Sequence, residues 1–80
     1  MKITSAVSRR IGKLLLEKNM SLYRLEQNSG ILHGAMMCIV KEKNKDITLG
    51  TIYKLARGFD MTMLEFLDDE IFRDERLEID

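Results

Sequence analysis

Apolar side chains recur at helical spacing along most of the chain, in blocks separated by short polar or glycine-bearing breaks. In the first block Val7, Ile11, Leu14 and Leu15 fall at i, i+4, i+7 and i+8, one stripe of a helix predicted from Thr4 or Ser5 to Lys18. Asn19 is a natural stop, since asparagine tolerates the left-handed conformation at a helix end. The stretch 21–39, SLYRLEQNSGILHGAMMCI, then places Leu25 before Gly30, and Met36 and Ile39 at i, i+3 spacing after it. Two short helices, over 21–28 and from 32 to 40 or 41, would bury these residues against each other. Gly30 stands where the chain must reverse, and glycine enters positive φ without steric cost. This is the pattern of a helix-turn-helix.

The run KEKNKD, 41–46, has no apolar residue and reads as loop. Beyond it Thr48 caps a fourth helix that presents Leu49, Ile52, Leu55, Ala56 and Phe59 to the core. Gly50 and Gly58 weaken that helix, each by up to ~1 kcal/mol relative to alanine. Thr62 and Glu65 have the spacing of a capping box for a fifth helix. The three starts share one arrangement, a hydroxyl cap flanked by an apolar staple: Met20 with Leu25, Ile47 with Ile52, and Met61 with Phe66. The acidic tail DDEIFRDERLEID, 68–80, carries Ile71, Phe72, Leu77 and Ile79. These either cover the domain as a short sixth helix or form part of a dimer contact.

Composition narrows the class. Eighty residues, 45% hydrophobic and without proline, make one small all-helical domain. A single cysteine forms no internal disulfide, and no Cys/His spacing suggests zinc. The start at Met1 without a long apolar segment, and the lack of a membrane-length run, point to a cytoplasmic protein with no membrane partner. Net charge is zero but unevenly spread: nine Lys or Arg against three Glu over 1–45, and four against ten acidic residues over 46–80. The basic half contains the helix-turn-helix, which points to a polyanionic partner, the plainer reading being a solvated charged surface. No enzyme is expected, because the only histidine has no Ser, Cys or Asp partner at usable spacing. No cofactor, metal or small-molecule substrate is expected either.

Arg10-Ile11, Leu14-Leu15, Met20-Ser21, Leu25 and Ser29-Gly30-Ile31 carry a family resemblance, continued by Met36, Ile39, Thr48-Leu49, Ile52, Leu55-Ala56, Phe59, Met61-Thr62 and 64–67. Over roughly 9–67 the chain resembles the lambda-repressor and Cro-like (Xre-type) helix-turn-helix transcriptional regulators. The resemblance implies an all-α, compact five-helix DNA-binding domain over 1–67, its helix-turn-helix at 21–40, with a C-terminal extension at 68–80. In such proteins the second helix of the motif enters the major groove. Aligned on Gly30, its outward positions are Leu32, His33, Gly34, Ala35, Met37 and Cys38, the candidate base contacts. Arg9, Arg10, Tyr23, Lys41, Lys43 and Lys45 are the candidate phosphate contacts.

Several residues depart from the family pattern. Of the outward set only His33 has a strong hydrogen-bonding group, so neither an Arg–guanine nor a Gln–adenine pair is available. Leu32, Ala35 and Met37 suit thymine methyl groups instead. His33 itself is either a plain exposed histidine or a base or phosphate contact. Leu22 replaces a phosphate-contacting glutamine, Val40 replaces a glutamate, and Glu26 replaces the alanine at the close approach of the two helices. A carboxylate there must bend outward or find a partner.

The expected function is sequence-specific binding of double-stranded DNA by a transcriptional regulator, a repressor, working as a homodimer. Leu64, Phe66, Ile71, Phe72 and Leu77 would form the dimer contact. The alternative is a protein-interaction module that keeps the fold without reading bases, motivated by the apolar outer face of 32–38.

Overall fold

The structure, a computed structural model, describes residues 1–79; Asp80, the end of the acidic extension, lies outside the described residues. Five helices follow one another: α1 Ile3–Glu17, α2 Leu22–Ser29, α3 His33–Val40, α4 Leu49–Gly58 and α5 Met63–Leu67, then a 3-10 helix Glu70–Arg73. The three expected hydroxyl caps are in place. Ser21 Oγ accepts the Arg24 N–H at 3.0 Å and Thr48 Oγ1 accepts that of Thr51 at 3.1 Å. At α5, Thr62 Oγ1 accepts the Glu65 N–H at 3.1 Å while the Glu65 carboxylate accepts the Thr62 N–H at 2.8 Å. That backbone N–H holds the Glu65 carboxyl below its ordinary pKa.

Helix ends are equally regular. Asn19, Glu42 and Asp60 adopt left-handed φ values of 50°, 59° and 58°. The N–H after each reaches back five residues, Met20 to Leu15 O, Lys43 to Cys38 O and Met61 to Ala56 O, at 2.9–3.0 Å. These are Schellman closures built without glycine. Gly30, at φ 75°, caps α2 by donating to Glu26 O at 3.0 Å.

α1 begins at Ile3, earlier than its side chains predict, because its cap comes from the far end of the chain. The Ile3 N–H donates to Glu78 O at 2.8 Å and the Glu78 N–H to Met1 O at 3.0 Å, forming a parallel bridge of Lys2 with Glu78. A backbone carbonyl thus satisfies a donor that a serine or threonine usually serves.

The core joins Val7, Ile11 and Leu14 of α1 to Leu25, Met36, Ile39, Leu55 and the rings of Phe59 and Phe66. The main packing sets α2 on α4, α4 on α5 and α1 on α3, with the 3-10 helix laid against α1. Leu49 is not part of the core: as the first residue after the Thr48 cap it is 67% exposed, and the buried face begins at Ile52. Gly58 is also more than a weak point. A Cβ there would stand 2.7 Å from Leu25 Cδ1 and 2.9 Å from Ser29 Cβ, so α2 and α4 meet across it. Only glycine permits that approach.

The tail is anchored from beneath. Phe72 packs its ring 6.2 Å from Phe66, which lies 6.4 Å from Phe59. Asp69 accepts hydrogen bonds from the Ile71 N–H at 3.0 Å, Lys13 Nζ at 2.8 Å and Arg10 Nη1 at 3.2 Å. The Ile71 N–H, with Lys13, keeps the Asp69 carboxyl below its usual range, and Asp69 raises Lys13 in turn.

Candidate nucleic-acid interface

α2 and α3 meet at the left-handed Gly30, with Leu25 and Ile31 beneath them and Met36 and Ile39 turned inward. α3 therefore shows its opposite side to solvent. His33, Gly34 and Ala35 are exposed in its first turn, Leu32 just ahead of it is 79% exposed, and Met37 and Cys38 are half-buried. Leu32 occupies the cap position but has no polar side chain, and α3 begins without a side-chain cap bond.

His33 is held by α2. Its Nδ1 lies 2.9 Å from Glu26 Oε2, the imidazole exposed and the carboxylate only 10% exposed. Glu26 has thus found the partner that its position demands. Nothing in the spacing of 26 and 33 alone announced the pair, because the turn at Gly30 is what brings them together.

Beside α3 lies a cavity of about 750 Å³, walled by Leu32, Ala35 and Cys38 on one side and by Ile47, Thr48 and Thr51 on the other. Lys54 of α4 also lines it. Sequence reasoning missed Thr51 and Lys54 as neighbours of α3; their i+3 and i+6 spacing from Thr48 was the available signal.

A model of the Cro/C1-type HTH DNA-binding domain matches residues 10–70. The chain belongs to that family. No curated protein and no solved structure matches this chain. DNA binding through the helix-turn-helix is the family's defining property, and the remaining candidate residues of this Cro/C1-type domain can be placed against it.

Lys41, Lys43 and Lys45 are all exposed on the segment that follows α3. Arg9 is exposed next to Ser8, whose hydroxyl donates to Val40 O at 2.8 Å, so α1 lies against the end of α3. Ser5 adds a hydroxyl bond to Glu42 in the same region. Tyr23 is exposed near the start of α2.

Arg10 is a correction. It is 7% exposed, with Nε donating to Phe66 O at 2.7 Å and Nη2 to Glu65 O at 2.9 Å, and the Asp69 contact completes its set. Its guanidinium also lies over the Phe66 ring, 5.9 Å from the centroid. A side chain so engaged closes the end of α5 and is withdrawn from any phosphate.

Phe66 is the second correction. It is fully buried, so it serves the core and not a dimer surface. Leu64 is 81% exposed, while Ile71, Phe72 and Leu77 are half-buried. Among the described residues no group of His, Cys, Asp and Glu is placed to hold a metal, and no helix is long and apolar enough to cross a membrane.

Proposed function

We propose that the chain is a sequence-specific transcriptional regulator, a repressor, that places α3 in the major groove of double-stranded DNA. The observation that carries this is the exposed first turn of α3 within a matched Cro/C1-type fold, followed directly by three exposed lysines. Lys41, Lys43 and Lys45 hold phosphates and set register without reading bases, and Arg9 and Tyr23 add contacts on either side of the motif. Two copies bind half-sites about one helical turn apart, because one such domain makes few contacts alone. Their shared surface is built on Leu64 with Ile71 and Leu77 at its edge, and the setting is the cytoplasm.

The test is enrichment from a randomised duplex pool followed by a salt titration. A palindromic site bound far more tightly than its scramble is the expected result. Replacing Lys43 and Lys45 by alanine should flatten the slope of log affinity against log salt by about one per lysine, equally for all sequences. An unchanged slope in the double variant refutes the phosphate assignment.

A second reading, a protein-interaction module, draws on the apolar wall formed by Leu32, Ala35 and Cys38. Under it, Met37→Asp abolishes partner association. In a DNA binder the same change costs only part of the affinity.

A further inference from the structure

Resting on the placement of α3 in the major groove, we propose that this domain selects its sites by the C5-methyl groups of pyrimidines, with no bidentate hydrogen bond from α3 to a base edge. Reading guanine or adenine bidentately takes one side chain with two suitably placed hydrogen-bonding atoms, such as arginine, asparagine or glutamine. No residue of 32–38 has such a pair free. His33 is the one strong hydrogen-bonding group there, and its Nδ1 is committed to the largely buried carboxylate of Glu26. Two amides lie off α3: that of Gln27, exposed on α2, lines a hollow with Tyr23 and His33, and that of Asn44 lies on the loop wall of the cavity beside α3.

What α3 does offer is the apolar wall of a concavity whose facing wall, from Asn44, Asp46, Thr48, Thr51 and Lys54, is polar. Leu32, Ala35 and Cys38, with Ile31, Ile39 and Ile47, supply the apolar lining of the 750 Å³ cavity at its side. Water in such a hollow is displaced favourably by a methyl group. The C5-methyl is the apolar group that a pyrimidine projects into the major groove: thymine carries it always, and cytosine only when methylated. Lys54 on the cavity wall and the exposed Lys43 and Lys45 supply sequence-independent attraction to phosphates around it. Attraction and selection are thus assigned to different residues. The two sources of the same methyl, thymine and 5-methylcytosine, are separable by synthesis.

The experiment uses the full chain and its enriched site in three forms: unmodified, with uracil in place of each thymine in turn, and with 5-methylcytosine in place of each cytosine in turn. Competition binding is read at several salt concentrations. Uracil should weaken binding about fourfold per contacted methyl, the transfer value of one methyl-sized group, at an unchanged salt slope. If the contacted pyrimidine is cytosine, methylation should strengthen binding by a similar factor. Leu32→Asn should erase the difference in either case. Equal affinity for all three forms at every position overturns methyl selection while leaving a sequence-specific binder intact. Failure to enrich any site overturns both this inference and the DNA-reading function on which it rests.

Discussion

Replacing Gly58 by alanine should destabilise the domain, although glycine to alanine in a helix ordinarily does the reverse. At an open helical site the change gains about 0.5–1 kcal/mol. At Gly58 the added Cβ would meet Leu25 Cδ1 at 2.7 Å, Ser29 Cβ at 2.9 Å and the Leu25 carbonyl oxygen at 3.4 Å. Leu25 is fully buried among other core side chains, so its methyl has little room to swing away. Ser29 Cβ is fixed to the α2 backbone. Relief therefore requires α2 to move off α4, and overpacking of this kind costs about 1–3 kcal/mol. Set against the helical gain, a net loss of about 1–2 kcal/mol is expected, or roughly 5–10 °C in Tm for a domain of this size. Gly12 supplies the control. It lies within α1 with nothing within 4 Å of its would-be Cβ, so Gly12→Ala should stabilise by about 0.5–1 kcal/mol. Urea denaturation followed by far-UV circular dichroism measures both. A Gly58→Ala midpoint at or above that of the parent chain would refute the close approach.

Two further expectations concern the anchor of the tail. Arg10→Ala takes the buried donor from the Phe66 carbonyl and one hydrogen bond each from the Asp69 carboxylate and the Glu65 carbonyl, and should cost about 1–3 kcal/mol in the urea melt. The exposed neighbour Arg9→Ala should stay within about 0.5 kcal/mol of the parent while weakening DNA binding; equal melts for the two variants would show that Arg10 is not the anchor. Asp69 has its folded pKa depressed, so its contribution is present above the ordinary aspartate value near ~3.9 and is lost as pH falls through the lower folded value. The stability gap between the parent and Asp69→Asn should accordingly be largest near neutral pH and close below about pH 4, and a gap that stays constant from pH 7 to 3 would contradict it.

Much of this fold was legible because local chemistry and burial agreed. Ser21, Thr48 and the Thr62–Glu65 box mark their helix starts by side chains that bond within the same turn, and Asn19 marks a stop in the same local way. What escaped was set by distant partners. The cap of α1 is Glu78, at the other end of the chain, and Arg10 looks like a surface cation until α5 and Asp69 are brought beside it. Gly58 shows the same limit from the other side: its helix propensity is local, but the reason for it is Leu25 on another helix. At the candidate interface the exposed run was readable from the inward periodicity of Met36 and Ile39. The Glu26–His33 pair and the cavity beside α3 were not, since both depend on how the chain folds back at Gly30 and at the loop before α4.

The division of packing has a practical consequence for genetics. The two helices of the DNA-binding motif rest on different supports, α2 on α4 and α3 on α1, and the tail grips α1 through Arg10 and Lys13. Their mutual angle is therefore set by residues at both ends of the chain. A screen for lost DNA binding should return Gly58, Asp69 and Phe72 beside any residue of the interface, and a defect in such a screen will not by itself identify a residue that touches DNA. Sorting those alleles requires a folding measurement on each before any is drawn onto a contact map.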